Sequence, residues 1–418
     1  MPRTLSFLVP EQILVRQHGH ISTSSNVVYC SQSRPSPLAC ADGLYAAVDH
    51  TGHQAVGGMC GTVGPVGFSL GGGHGPIIRS HGLGADNIVS AKLVLADGAL
   101  VEVSEAAVAA DPALADLWWA LRGGGGGTFG VVVEIAVRRY RAPASVSSLT
   151  CDWPLNSENG AATPGRDLLE AWWSGLMQAL PDEWAFFTIG LPAPIKKLMK
   201  DMEKYDSKTM QGLVSLEGVY NGEYSDAMLE AVAGVMAFQP ENQIKCYTEN
   251  FTSLLAWHES RWFGAVPVPM RDTMATSFAQ PGFNATALAG VVHGALSQLG
   301  PNSLDSFFGI QTGGQVSEVA GDATSVSPAF RSAELIMETD SNWLTRASDA
   351  DQMAWTQATG GAVAAVAGME GSYVNEPDPE LSDWEALFWG EANFARLQDI
   401  KRALDPGEFF SCHQCVYN

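Results

Sequence analysis

A single cysteine stands inside a glycine-rich segment at residues 57–75, and this stretch has the residue types most able to do chemistry. Glycine lacks a Cβ, so backbone N–H groups can approach an anionic ligand such as the phosphates of a large cofactor. Cys60 adds a soft nucleophile that can bond to an electrophilic ring, and His74 follows it in the same segment. The combination indicates flavin chemistry. The alternative is a glycine-rich loop with an inert cysteine.

Three other motifs compete with this interpretation. Gly67-Phe68-Ser69-Leu70-Gly71 matches the nucleophile elbow of serine hydrolases, but it lacks the strand before the serine and the helix after it that the elbow needs. The glycine runs do not fit the G-x-G-x-x-G pattern that follows a strand in nicotinamide-binding Rossmann units. Cys412 and Cys415 have the spacing of half a zinc site without a second pair, so no metal site is predicted.

The charge balance excludes several classes of partner. The 418 residues include 23 basic and 45 acidic side chains, for a formal net charge of −22. Such a charge repels nucleic-acid phosphates and anionic lipid headgroups, so neither nucleic acid nor a membrane is an expected partner. If Cys60 holds a cofactor, six of the seven cysteines remain, and disulfide pairing is possible without being implied. The N-terminus makes a poor signal peptide, and the compartment stays open.

The elements that must position these residues follow an α+β pattern. Glycine turns alternate with short apolar strands between residues 56 and 139, and a helix is predicted over 112–121. A stretch rich in Pro and Ser at 142–148 marks a boundary. Beyond it the pattern predicts helices over 166–180 and 224–238 and strands over 184–189, 211–220 and 307–312. One last helix is predicted over 384–404, ended by Asp405-Pro406-Gly407.

Motifs at opposite ends of the chain carry a family resemblance. The first set is Gly73-His74-Gly75-Pro76, then 81–91, 95–98 and 116–132; the second is Tyr373-Val374-Asn375, Phe388-Trp389-Gly390 and Asp405-Pro406. Together they resemble the berberine bridge enzyme-like flavoproteins of the vanillyl-alcohol oxidase and p-cresol methylhydroxylase (PCMH) superfamily. The resemblance implies an α+β, two-domain PCMH-type FAD-binding fold, in which the substrate domain is an antiparallel sheet covered by helices.

The resemblance also implies a division of the chain. Residues 1–141 are expected to form the FAD-binding domain, 149–369 the substrate-binding domain, and 370–418 a C-terminal segment that returns to the FAD domain. Only 59 residues precede Cys60, fewer than in the family, and residues 22–41 are rich in Ser, Pro and Cys without a strand pattern. We therefore expect a shortened N-terminal part of the FAD domain, either real or the product of an imperfect gene model.

FAD is the cofactor that the resemblance implies. Cys60 falls on the family's cysteinyl attachment position. His20 falls on the histidyl position, in an imperfect copy of the R-x-G-G-H pattern where His18 replaces the first glycine. Further positions match family residues whose backbone lines the FAD: Thr62, Val63, Gly64, Gly67, Gly71, Gly72, Gly75, Asn87, Gly130 and Val132.

Two residues match catalytic positions of the family. Tyr373 falls on a tyrosine that faces the reactive side of the flavin, and His74 lies beside the active site. A tyrosinate at Tyr373 could accept the substrate's proton, but a phenol with a pKa of about 10 needs a nearby cation or hydrogen-bond donors to ionise near neutral pH. The sequence does not assign that partner.

The predicted function is that of an FAD-dependent oxidoreductase. It is expected to be an oxidase that takes hydride from a small alcohol, sugar or secondary metabolite and passes electrons to dioxygen. The alternative is a non-redox binding module or a cyclase on the same scaffold, motivated by the short N-terminal region.

Overall fold

The computed structural model describes residues 12–17, 27–30, 41–157, 160–192, 212–261, 271–298 and 304–418. The strands within these ranges are β1 Gln12–Gln17, β2 Val27–Cys30, β3 His53–Gln54, β4 Ile88–Val94, β5 Leu100–Ser104, β6 Val131–Arg138, β7 Tyr140–Arg141, β8 Val146–Pro154, β9 Trp184–Pro192, β10 Gly212–Tyr220, β11 Lys245–Phe251, β12 Arg271–Ala279, β13 Ser306–Gln311, β14 Leu335–Trp343 and β15 Met369–Glu370.

The α-helices within the same ranges are α1 Ala41–Asp49, α2 Pro65–Leu70, α3 Ile78–His81, α4 Glu105–Ala110, α5 Ala115–Leu121, α6 Pro164–Ala171, α7 Asp226–Met236, α8 Leu254–Glu259, α9 Ala285–Gln298, α10 Gln315–Glu318, α11 Pro328–Ser332, α12 Asp349–Ala364, α13 Trp384–Trp389 and α14 Glu391–Leu404. A π-helical turn at Trp172–Leu176 extends α6, so the helix predicted over 166–180 is confirmed in most of its length. The other predicted helices and strands of the central region are present within about three residues of the expected ends.

The first sheet has the strand order β2-β1-β6-β4-β5 among the described residues. β1 and β2 are parallel, and the other neighbours are antiparallel. The presence of β2 corrects the expectation that residues 22–41 have no strand. Its sequence, Val27 to Cys30, is too short to show an alternating pattern alone, and pairing with β1 supplies the backbone hydrogen bonds that fix it.

The C-terminal segment packs into the core of this first sheet. Trp389 and Leu397, from α13 and α14, are buried in one cluster with Ile13, Leu93 and Trp119. The single helix predicted over 384–404 is two helices in the structure. The break lies at residue 390, a glycine whose φ of +77° is left-handed and suits glycine alone.

The second sheet is antiparallel, with the order β11-β8-β10-β9-β13-β14-β12-β15 in the described ranges. Because successive side chains alternate between faces, each strand contributes to two cores. On one face, Trp153 and Phe186 pack with apolar residues of α6, α7, α9 and α12. On the other face, Phe187 and Ile310 pack with Phe68 of the glycine-rich segment and with Tyr373. The candidate site lies on this second face.

Four of the cysteines are paired. A disulfide joins Cys151 and Cys246, which are register partners on β8 and β11. A second disulfide joins Cys412 and Cys415, so these thiols are not arranged as zinc ligands. None of the helices in the described ranges combines the length and apolarity that a bilayer crossing requires.

Candidate active site

A cavity of 880 Å³ separates the glycine-rich segment from the second face of the large sheet. Its volume is in the upper part of the range of about 300–1,000 Å³ that is typical of ligand sites. Its wall is formed by Gly58, Met59, Cys60, Val63, Gly64, Val66, Gly67, Phe68, His74, Phe187, Met274, Phe308, Ile310, Glu338, Asp340, Tyr373, Asn375 and Glu376. Most of the wall is apolar, and the polar groups converge on one part of it.

Cys60 lies in a tight loop at the edge of the cavity. The loop closes with a hydrogen bond from the Val63 N–H to the Cys60 carbonyl, 3.1 Å, and α2 follows with Pro65 at its first position. The thiol is exposed to the cavity, but protein surrounds it on most sides. This desolvation raises its pKa to about 11, and the charge of Glu338 is the next largest contribution. Within the described residues Cys60 is the free cysteine.

Tyr373 is held by hydrogen-bond donors. Its phenolic oxygen accepts from the Gly73 backbone N–H at 2.7 Å and from the Asn375 side-chain amide at 2.8 Å. Burial nevertheless raises the pKa of Tyr373 well above its usual value, and the charge of Glu376 raises it further. Among the described residues that line the cavity there is no lysine or arginine. Tyr373 therefore sits there as a neutral phenol at neutral pH.

The glycines at 71–75 allow the two ends of the chain to approach each other. A Cβ at Gly71 would overlap the Asn375 amide, and a Cβ at Gly72 would lie 3.2 Å from the Tyr373 ring. At Gly75 a Cβ would collide with the carbonyl of Gly57. Close packing against protein is thus a second reason for glycine in this run, in addition to the predicted approach of a phosphate.

His74 extends the polar part of the wall. Its Nε2 lies 2.9 Å from Oε1 of Glu376, and its ring is 5.2 Å from the Tyr373 ring. The Nδ1 atom of His74 and Oε2 of Glu376 are buried without a hydrogen-bond partner among the described residues. Both atoms are therefore available to a ligand in the cavity.

Two carboxylates enter the cavity from β14. Glu338 and Asp340 are two residues apart on one strand, so they share a face. Burial and the neighbouring carboxylates Glu376 and Asp340 raise the pKa of Glu338 well above its usual value. Burial also raises the pKa of Asp340 to about 7, although a hydrogen bond from Asn342, 2.6 Å, opposes the shift. The Asp340 carboxyl can thus gain and lose a proton near neutral pH.

The cavity fits a flavin. Gly67 lies in its wall, and a Cβ added there would meet nothing within 4 Å, so a flat ring can lie against the backbone of α2. The Cys60 thiol on this wall is a nucleophile able to bond to the ring. In the described part of the chain, no cluster of three or more His, Cys, Asp or Glu residues is arranged to hold a metal ion.

Comparison with known proteins agrees with this geometry. Residues 372–417 match the family model described as "Berberine and berberine like". The "FAD-linked oxidoreductase cheF" of Chaetomium globosum is 28% identical over 416 residues, covering 94% of this chain and 61% of the relative. This chain resembles the berberine bridge enzyme-like family.

Solved structures share the fold of this berberine bridge enzyme-like chain. "Physcomitrella patens BBE-like 1 wild-type" superposes with a TM-score of 0.73 at 21% identity, covering 91% of this chain and 76% of that one. The berberine bridge enzyme from Eschscholzia californica superposes with a TM-score of 0.72 at 20% identity, covering 90% and 75%. The expected α+β, PCMH-type fold is therefore confirmed. The chain spans about three fifths of the length of the first curated relatives that it matches.

The residues predicted for the site of this chain divide into three groups. Cys60, Val63, Gly64, Gly67, His74 and Tyr373 line the cavity. Thr62, Gly71, Gly72, Gly75, Asn87, Gly130 and Val132 lie outside its wall, and their contact with FAD stays a prediction. His20 lies outside the described residues. Asn87 uses its side chain to hold the Tyr140 hydroxyl, 2.7 Å, and the carbonyls of His81 and Leu83.

The sequence did not lead to the three carboxylates of the cavity wall, Glu338, Asp340 and Glu376. Glu338 and Asp340 lie two residues apart on β14, and this spacing was the available signal. Asn375 and Glu376 lie two and three residues after Tyr373, but the sequence gives no indication that they fold back onto the glycine segment. Ser69 is buried inside α2 rather than at a strand-to-helix turn, which agrees with the rejection of a hydrolase elbow.

Proposed function

We propose that this chain is an FAD-dependent oxidoreductase of the oxidase type, acting on a small alcohol, a sugar or another hydroxylated secondary metabolite. One observation carries the proposal: the Cys60 thiol and the proton-accepting carboxyl of Glu338 line the same cavity. The thiol would mark where the flavin lies, and the oxidation of an alcohol needs a hydride acceptor and a base within reach of the hydroxyl.

Glu338 is the proposed general base. Of the charged groups that act on the Cys60 thiol, Glu338 makes the largest electrostatic contribution, and we therefore assign the role of base to this carboxyl. Asn342 and Ser306 both donate to Oδ2 of Asp340, which restrains that side chain. When ionised, Glu338 can take the hydroxyl proton of the substrate as the neighbouring carbon–hydrogen bond breaks, and its raised pKa makes it a stronger base.

Tyr373 and His74 are proposed to position the substrate. The Tyr373 phenol, fixed by Gly73 and Asn375, can donate its own proton in a hydrogen bond to the substrate oxygen. His74 is oriented by Glu376 and leaves Nδ1 for a second hydroxyl. This assignment moves the role of base from Tyr373, the residue favoured by the sequence, to Glu338, because burial raises the pKa of the phenol and no lysine or arginine is among the described residues of the cavity wall.

FAD is proposed to be held covalently by Cys60, with His20 as a second attachment point. When bound, the flavin supplies the hydride acceptor at N5 and passes the electrons on to dioxygen. The backbone at Gly64 and Gly67 would face the ring, and Val63 would pack at its edge.

An absorption spectrum of the purified protein tests the proposal most directly. Visible flavin bands that bleach when a hydroxylated substrate is added without air, and return with air, are expected. A folded protein that stays colourless after incubation with FAD would overturn the proposal and favour a non-redox binding module or a cyclase. Bands that never bleach with any member of an alcohol and sugar panel would contradict the substrate class.

A further inference from the structure

We infer that His258, on α8 of the sheet-bearing region, is the positioning residue that fixes the Cys60 loop. Its ring is buried, with 5% of its surface exposed. Its Nε2 lies 2.6 Å from the carbonyl oxygen of Met59, the residue directly before Cys60. Its Nδ1 lies 3.1 Å from Oδ1 of Asp42, near the start of α1. One side chain thus joins three separate parts of the chain.

Both partners of the His258 ring can only accept hydrogen bonds. A backbone carbonyl has no proton to donate, and neither has a carboxylate. Nε2 therefore carries the proton of the hydrogen bond to the Met59 carbonyl. Nδ1 faces the Asp42 carboxylate within ion-pair distance, and the histidine side of this contact is buried.

The same loop is held from α1 by contacts that leave it little freedom. The Tyr45 hydroxyl donates to the Gly58 carbonyl at 3.0 Å, and the Tyr45 ring lies 4.9 Å from the His258 ring. The N–H groups of Ala41 and Asp42 donate to the carbonyls of Val63 and Gly61. Gly61 itself has no room for a side chain, because a Cβ would overlap the Asp42 carboxylate.

His258 lies outside the cavity wall, but it contacts the loop that carries Cys60, which lines the cavity. The Met59 carbonyl precedes Cys60 by one peptide, so loss of the hydrogen bond frees the backbone that aims the thiol. Only the expected effect on the bond between Cys60 and FAD rests on the proposed function. The fixing of the loop itself is a property of the chain without cofactor.

Hydrogen exchange of the FAD-free protein tests the fixing of the loop. In His258→Ala the amides of Ala41, Asp42 and Val63, which bond across the loop, are expected to exchange about tenfold faster. His258→Gln, which keeps one donor, is expected to lie between His258→Ala and the parent chain. Asp42→Asn keeps an acceptor but removes the charge, and it should resemble His258→Gln. Unchanged exchange in His258→Ala overturns the inference, and so does an equal increase across the whole large sheet.

A matched control separates this role from general support between the two parts of the molecule. Asn221→Ala removes a different contact between them, Nδ2 to His81 Nε2 at 3.2 Å, and neither residue lines the cavity. It is expected to leave the exchange of the loop amides unchanged. If Asn221→Ala speeds their exchange as much as His258→Ala does, His258 has no special role.

The consequence for the cofactor is measured on the FAD-loaded protein. Mass spectrometry of the Cys60 peptide is expected to show at least about a twofold loss of the flavin adduct in His258→Ala. In a Cys60→Ala background, His258→Ala should not move the flavin reduction potential further, because both changes act through one residue. A further shift there contradicts the inference. A colourless protein refutes the proposed function instead, and the exchange measurement still decides the role of His258.

Discussion

The Gly73 backbone N–H donates a 2.7 Å hydrogen bond to the phenolic oxygen of Tyr373, 300 residues later in the chain. Gly73 has a φ of +86°, and a Cβ there would also press against the Phe68 ring, so only glycine can present its N–H in this way. The contact brings the glycine-rich segment and the C-terminal segment into one site.

Tyr373→Phe tests this contact and the proposed donor role. The change leaves the Gly73 N–H and the Asn375 amide without their acceptor, which is expected to cost about 1–3 kcal/mol of stability. Loss of the donor to the substrate oxygen should slow flavin reduction about 100- to 1,000-fold. Thermal denaturation and anaerobic stopped-flow bleaching measure the two effects. An unchanged reduction rate would leave Tyr373 with a structural role alone.

Glu338→Gln tests the proposed base. The amide has nearly the same shape but cannot accept the proton, so we expect flavin reduction to slow about 100- to 10,000-fold while flavin binding persists. In the parent chain the rate should rise as pH increases through the raised pKa of Glu338, because only the carboxylate accepts a proton. The variant should lose this dependence. Asp340→Asn serves as the control, and a larger loss there would move the role of base to Asp340.

Cys60→Ala tests the covalent attachment. The parent chain should stay yellow after denaturation in acid, and its Cys60 peptide should carry the mass of the flavin. In the variant that adduct disappears, the flavin reduction potential falls and substrate oxidation slows. Because the raised pKa of about 11 keeps the thiol protonated in the FAD-free chain, we expect alkylation of Cys60 to be slow at pH 7. Release of all flavin from the denatured parent chain would contradict the attachment.

Two alanine substitutions separate glycines needed for packing from glycines that face the cavity. Gly75→Ala drives a methyl group into the Gly57 carbonyl and should lower stability by more than about 2 kcal/mol. Gly67→Ala meets no protein atom within 4 Å, so stability should change by less than about 1 kcal/mol while FAD binds more weakly. Denaturation curves and FAD titrations test the pair. Equal stability of the two variants would refute the packing argument.

The stability of the fold is expected to depend on pH through His81. Burial lowers its pKa from 6.5 to about 4, and Nε2 accepts hydrogen bonds from the amides of Gln54 and Asn221. Between these pH values the unfolded chain binds more protons at this residue than the folded chain does. The His81 contribution to stability is therefore lost as pH falls from about 6.5 to about 4. His81→Gln should reduce the difference in melting temperature between pH 7.5 and pH 4.5, and an unchanged difference would contradict this assignment.

Much of the site could be predicted because its chemistry is concentrated in short motifs. Cys60 and His74 lie in one glycine-rich run, and Tyr373 lies in a second short motif. The side chains of all three residues line one cavity. The strands β9, β10 and β13 were also predictable, because their apolar runs are long enough to show a pattern. The division at residues 141, 149 and 370 stays a prediction.

What the sequence determined by itself was local: the α+β pattern, the thiol in its glycine setting, and a charge that disfavours anionic polymers. Tertiary structure decided which groups share the cavity. Glu338, Glu376 and His258 come from separate segments of the chain, and only the folded structure shows what each of them contacts. The pKa of a side chain and its hydrogen bonds depend on burial and on neighbours across the fold. The proposed base Glu338, the neutral state of Tyr373 and the proposed role of His258 could therefore be inferred only from the folded structure.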